Sequence, residues 1–376
     1  MAGTYPLAGV RVLDLTRLLP GGFCTLLLAD LGAEVVKVED PQGGDYSRAM
    51  PPLTETGVGA VYAALNRGKR SVVLDLKRAD DRDLFLRLAE RADVVVESFR
   101  PGVMDRLGVG PQTLLARNPR LVYCALTGYG QTGPLRDVVG HDINYIGTAG
   151  LLDLNGPPDG PPVVPGAQLA DLSGALVATL GILAALLRRA ATRQGGLVDT
   201  SMTEAAFALL SLPWAEFAGA GQVARRGSHI LSGGWACYNV YQAGDGRYLA
   251  LGCLEPKFWA AFCQMLEQSE WIRQQFDPTL QPTLKVQVAA LLASQPASAW
   301  LDQAQGRDIP LTLVNSLADL SSDPQFAARG VLFPTLAGLA ARSPIRLDDL
   351  PPAAITPPPG YGDTAASALL EAWSDP

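Results

Sequence analysis

The sequence predicts an α/β protein: a large domain built on a parallel sheet covered on both faces, and a second, smaller α+β domain. Three observations carry this. The first half alternates short β-rich runs with segments of helical periodicity, the pattern of βαβ units. Its strand-like runs are apolar almost throughout rather than alternating, as strands buried on both faces are. Beyond about residue 240 the pattern changes to a hairpin signal followed by two helical stretches.

The elements follow in order. VRVLDLT (10–16) reads as a strand, FCTLLLADLG (23–32) as a helix ending at Gly32, and AEVVKVE (33–39) as a second strand. RSVVLDL (70–76) is a strand, 79–92 a helix, DVVVESF (93–99) a strand, and LVYCALTGYG (121–130) a strand with a glycine-rich exit. Two helices are expected over 171–192 and 201–220, broken by RQGGLVDTS. GDGRYLALGCLEP (244–256) reads as a hairpin strand, and helices are expected over 257–276 and 284–303. The proline-rich stretch 343–364 lacks periodicity and reads as an extended strap before a last helix, 366–374. No internal repeat is visible.

Bulk properties exclude several classes. The chain has 376 residues, 48% hydrophobic and 18% charged, enough for a sizeable core. A net charge of −7, with no basic run and no interleaving of basic and aromatic residues, argues against a nucleic-acid partner. The N-terminus lacks a secretory pattern. The longest apolar stretch, ALVATLGILAALL (175–187), has 13 residues and is short for a bilayer, so a cytoplasmic protein without a membrane partner is expected. The five cysteines are widely spaced with no C-x-x-C, and there are two histidines. Neither a disulfide framework nor a zinc site is expected. The turn after the first strand reads RLLPGGF rather than G-x-G-x-x-G, which argues against a dinucleotide.

Three polar residues stand out as candidates for chemistry, each with a plainer reading. His141 lies in GHDINY, where Asp142 would serve as a helix N-cap and His141 would simply precede it. Asp171 opens an apolar helix in LADLSGALVATL, again a natural cap position. Glu255 precedes a proline and a helix, where a carboxylate is favourable with the dipole. The functional reading is that a histidine and a carboxylate form the two-faced acid/base pair needed to invert a centre next to a carbonyl. Spacing alone does not bring them together.

Across nearly its whole length the chain resembles the family III CoA-transferases (CaiB/BaiF type), which include the α-methylacyl-CoA racemases. The segments that carry the resemblance are GVRVLDLTRLLPGGFCTLLLADLGAEVVKVEDPQGGD, LNRGKRSVVLDLK, ADVVVESFRPGVMDRLGVG, NPRLVYCALTGYGQTGP, GHDINYIGTAGLL, LADLSGALVATLGILAALLRR, QGGLVDTSMTEA and DGRYLALGCLEPKFW, in this order. The resemblance implies a Rossmann-like large CoA-binding domain (1–200), linker helices (201–234), a small α+β domain (235–325), and a return linker with the C-terminal part of the large domain (326–376). It implies an interlocked homodimer, an acyl-CoA substrate, and no cofactor beyond the coenzyme A of that substrate.

Within such a family Asp171 matches a transferase nucleophile, whereas His141, Asp171 and Glu255 together match a racemase site. HILSGGWACYNVY (229–241) holds only Gly233 and Gly234 rather than a glycine run, which again resembles the racemases. The implied activity is racemisation of 2-methylacyl-CoA thioesters through an enolate. Glu255 of a second subunit is expected to pair with His141, and N–H groups at the start of the Asp171 helix to stabilise the enolate. The alternatives are CoA transfer between carboxylic acids via an aspartyl-CoA thioester, and a weakly catalytic acyl-CoA-binding relative. The resemblance further implies CoA contacts from Arg106, Lys69, Arg67, Ser98 and Phe99. Asp40 stands where some racemases carry an arginine before the proline of VVKVE-x-P. The phosphate contact at that place is therefore expected to be missing or supplied by Lys37.

Overall fold

The computed structural model describes residues 5–335, 338–347 and 356–374. It divides into two units, one of residues 1–151, 165–209 and 325–376, the other of 152–164 and 210–324.

In the first unit the expected βαβ alternation is present. The elements are β1 (Arg11–Leu15), α1 (Leu18–Asp30), β2 (Glu34–Glu39), α2 (Ala60–Leu65), β3 (Arg70–Val73), α3 (Ala79–Ala89), β4 (Val94–Glu97), α4 (Val103–Arg106), α5 (Pro111–Arg117) and β5 (Val122–Thr127). They continue with α6 (Asp142–Thr148), α7 (Leu169–Thr192), β6 (Gly196–Ser201) and α8 (Met202–Ala208). All six strands are parallel, in the order β3-β2-β1-β4-β5-β6. On one face Leu13, Leu15, Val36, Val95 and Tyr123 pack against Phe85 and Leu88 of α3, Met104 of α4 and Leu114 of α5. The other face is covered by α1 and α7, which also pack on each other.

Two boundaries differ from the sequence expectation. Helix α1 begins at Leu18, before PGG, and within it Gly21 passes against Thr16: a Cβ there would lie 2.1 Å from the Thr16 side chain. RQGGLVDTS, read as a break between helices, contains β6. It is an edge strand with partly exposed alternating positions, so the run of apolar residues that marks the inner strands is missing. The helix expected over 201–220 is accordingly two helices, α8 and α9 (Ser211–Ala220).

The apolar run 175–187 lies inside the 24-residue α7. By length and composition alone α7 could cross a membrane, although 44% of its most apolar window is buried inside the protein. Ala175, Ala178, Ile182 and Ala185 face inward, whereas Leu176, Leu180 and Leu187 are 48%, 65% and 77% exposed.

The second unit holds α9, β7 (Tyr238–Gln242), β8 (Tyr248–Gly252), α10 (Pro256–Met265), α11 (Gln281–Leu292), α12 (Ala297–Ala304) and β9 (Leu311–Leu313). Its sheet, β7-β8-β9, is antiparallel. Trp259, Phe262, Leu284, Val288 and Trp300 form its core with Leu249 and Leu251. Both indoles are satisfied: Trp259 Nε1 donates to Trp271 O at 2.9 Å and Trp300 Nε1 to Leu292 O at 2.8 Å. The chain then forms α13 (Pro324–Ala328), the hairpin strands β10 (Leu332–Thr335) and β11 (Gly338–Ala341), and α14 (Ala366–Ala372). The middle of the expected strap, 348–355, lies outside the described residues.

Strand order positions the site. Between β1 and β4 the chain reverses its direction of winding, and it is outside the carboxyl ends at such a switch point that open α/β sheets form their ligand-binding crevice. Thr16–Leu18 leaves β1 and Ser98–Arg100 leaves β4 at this place, and Arg17 N–H donates to Ser98 Oγ at 3.3 Å.

Candidate active site

His141 is the residue before α6, with extended backbone, and Asn144 closes the turn: the His141 N–H donates to Asn144 Oδ1 at 3.0 Å, and Asn144 N–H to His141 O at 2.8 Å. The imidazole is exposed. Asp142 was expected to cap its own helix; instead its Oδ1 accepts from the N–H groups of Ala170 and Asp171, at 2.7 and 3.0 Å. It thus caps α7 across the fold. One residue links His141 to the Asp171 backbone.

Asp171 sits in the first turn of α7, half-buried. Burial, reinforced by the Asp142 charge, pushes its carboxyl from 3.8 up to about 7. The helix start favours a negative charge, but here the first amides already serve Asp142. Of the N–H groups at the start of this helix, on which the expectation of enolate stabilisation rested, those of Ala170 and Asp171 are therefore already engaged. The amides of Asp142 and Ile143 precede the first bonded amide of α6.

Tyr145, overlooked in the sequence, belongs to the same cluster. Its hydroxyl donates to Gly140 O at 2.5 Å, and its ring meets Tyr129 edge-on at 5.1 Å. Burial and the Asp171 carboxylate push the phenol up to about 12, so it remains a donor. Gly128 and Gly140 make room for it: a Cβ on either would lie 2.4 or 2.8 Å from its ring. The sequence signal was the GYG exit together with the terminal Tyr of GHDINY.

Glu255 lies in the second unit, exposed, at the N-cap position of α10. Its carbonyl accepts from Phe258 and Trp259, whereas its side chain makes no capping bond.

The residues expected to meet phosphates divide into two groups. Lys37 is completely buried: its ammonium pairs with Asp45 at 2.9 Å and donates to Thr16 O at 2.9 Å. Lys69 is 5% exposed and donates to Asp14, Thr25 and Asn66 side chains at 3.2, 2.7 and 2.9 Å. Burial opposes the charge on Asp14, but Lys37 and Lys69 outweigh it and hold the carboxyl down at about 2. Burial lowers the Lys69 ammonium to about 8. Arg67 makes a bidentate pair with the buried Asp30 at 2.5 and 2.8 Å. These three side chains hold the interior of the unit together and offer little to solvent. Arg106 is exposed at the end of α4, while Ser98 and Phe99 are partly exposed beyond β4. Phe99 N–H donates to Glu97 Oε2 at 2.7 Å. Glu97 is buried there, and burial pushes its carboxyl up to about 7.

Comparison with known proteins agrees with this architecture. The model of CoA-transferase family III matches residues 7–364. An alpha-methylacyl-CoA racemase from Mus musculus is 39% identical over 310 residues, 82% of this chain and 77% of that protein. An acetyl-CoA:oxalate CoA-transferase from Acetobacter aceti is 34% identical over 351 residues, 91% and 89% of the two chains. Among solved structures, a CAIB/BAIF family protein from Brucella suis superposes with a TM-score of 0.87 at 30% identity, covering 98% of this chain and 99% of that one. The chain belongs to CoA-transferase family III. Racemases and transferases resemble it to similar degrees, so the family defines the enzyme class and the site must argue for the reaction.

Proposed function

We propose that the protein racemises 2-methylacyl-CoA thioesters, with His141 and Asp171 as the acid/base pair. What supports this is the link across the fold: Asp142, the residue after His141, accepts from the Asp171 N–H at 3.0 Å, and burial raises the Asp171 carboxyl to about 7. A group with a pKa close to the working pH is present in both protonation states and works as acid or base. One member of the pair removes the α-proton as the C–H electron pair moves into the thioester to give an enolate. The other returns a proton to the opposite face of the same carbon. Enolate charge is stabilised by the Asp142 and Ile143 amides. Glu255 comes from a second copy of the chain and pairs with His141. The outward leucines of α7, Leu176, Leu180 and Leu187, are the apolar surface such a homodimer covers. CoA is held at the β1/β4 crevice, with Ser98, Phe99 and Arg106 as contacts.

CoA transfer through Asp171 is the second reading, favoured by the likeness to the oxalate enzyme. A nucleophile must be a carboxylate, and a pKa of about 7 leaves much of Asp171 protonated near neutrality. The two separate on one comparison. The protein is incubated with an acyl-CoA and a free carboxylic acid, with and without hydroxylamine, as wild type and as His141→Ala. The racemase reading expects no CoA exchange and no trapped adduct on Asp171. Transfer that survives His141→Ala, with a hydroxylamine-sensitive adduct, would establish the transferase.

A further inference from the structure

We infer that Arg17 is the exchangeable phosphate receptor of the β1/β4 crevice and that Asp40 competes with the ligand for it; this rests on the acyl-CoA reading above. Arg17 follows β1 and Asp40 follows β2, so both lie at the carboxyl edge of the sheet. Their side chains form an ion pair, 27% and 33% exposed. The guanidinium also donates to the Tyr46 hydroxyl at 2.6 Å and lies over the Tyr46 and Phe99 rings at 4.9 and 5.6 Å. Its backbone N–H reaches Ser98 Oγ. Arg17 is therefore fixed on Ser98–Phe99, the segment that leaves β4 at the switch point of the sheet.

The neighbouring cations differ in kind. Lys37 and Lys69 are buried, and Arg48 makes two bonds to the buried Glu39 at 2.9 and 2.6 Å. Extracting one of these leaves a buried carboxylate unpaired, which is strongly unfavourable. The Arg17–Asp40 pair is partly exposed, so separating it costs little. Two aromatic rings keep the guanidinium in place after the carboxylate leaves, and a guanidinium fork suits a phosphate. Asp40 also accepts from Gln42 N–H at 2.8 Å, so it has a resting partner once displaced. The carboxylate at position 40 lowers affinity for the anion that Arg17 receives.

The test is calorimetric binding of CoA, 3′-dephospho-CoA and pantetheine to the wild type, Asp40→Asn, Arg17→Gln and the double variant at low salt. Asparagine retains the acceptor for Gln42 while removing the charge. Asp40→Asn is expected to tighten CoA by up to about fivefold, the equivalent of about 1 kcal/mol for an exposed pair. Arg17→Gln should weaken CoA and abolish the gain from Asp40→Asn. If the gain is lost with 3′-dephospho-CoA, Arg17 receives the 3′-phosphate. If it persists there and is lost with pantetheine, Arg17 receives the diphosphate. Unchanged or weaker CoA binding in Asp40→Asn, or a gain that persists with pantetheine or in the Arg17→Gln background, overturns the inference alone. A wild type that binds no CoA would overturn the acyl-CoA reading, and this inference with it.

Discussion

Replacing Asp171 with asparagine should stabilise the protein at pH 8 and change it little at pH 4. The folded environment raises this carboxyl from 3.8 to about 7, first by burial and then by the Asp142 charge. The folded state therefore holds the proton more tightly than the unfolded chain. Below the unfolded value both states are protonated and folding is unaffected. Between 3.8 and about 7 stability falls as pH rises, and above that range the full cost persists. Fully expressed, the gap corresponds to at most about 4 kcal/mol. Asp171 is only half-buried, and screening by solvent reduces the expected gain to about 1–3 kcal/mol. Asparagine has nearly the same shape and no charge to desolvate. Urea unfolding of wild type and Asp171→Asn at pH 4 and pH 8, at one protein concentration, measures the difference. An equal gain at both pH values, or no gain at pH 8, would refute the claim that the site holds Asp171 at a cost in stability.

Other consequences are equally specific. Asp142→Asn keeps an acceptor for the two α7 amides but removes the neighbouring charge, so Asp171 should titrate below about 7 and above 3.8 by carboxyl NMR; Asp142→Ala should in addition destabilise the folded state by about 1–2 kcal/mol in urea unfolding. Arg67→Met strands the buried Asp30 and should destabilise by about 3–5 kcal/mol, whereas the paired change Asp30→Leu with Arg67→Met should recover much of the loss in the same urea titrations. Charging the outward face of α7, by Leu180→Glu with Leu187→Glu, should shift the proposed dimer toward monomer in sedimentation velocity while the circular dichroism spectrum remains that of a folded chain.

The large domain was readable from the sequence because its inner strands are buried on both faces. VVKV and VVV admit few polar residues, and the helices between them supply the remaining periodicity. The edge strand β6 was not, since GLVDTS is partly exposed at alternate positions and begins at the second of two glycines. At the site, His141 and Asp171 were marked by residue type and by resemblance, but their connection was not. It runs through the Asp142 carboxylate to amides some 28 residues away along the chain, at Ala170, and no local pattern encodes such a bond. The basic residues show the converse. Lys37, Lys69 and Arg67 match CoA contacts by resemblance, yet each is enclosed with a carboxylate: Lys69 with Asp14 of β1, Arg67 with Asp30 of α1, and Lys37 with Asp45. Arg17 attracts less notice in TRLLPGG, and only the strand order shows that it lies at the crevice.

The most direct test of the central claim is α-proton exchange. The protein is given one enantiomer of a 2-methylacyl-CoA in deuterated water, and the α-position is followed by NMR alongside chiral analysis, with His141→Asn and Asp171→Asn in parallel. The account predicts deuterium uptake with loss of optical purity in the wild type. It also predicts that neither variant racemises, with any residual exchange confined to the face served by the surviving group. An intact α-proton in the wild type across several acyl chains, despite measurable acyl-CoA binding, would contradict it.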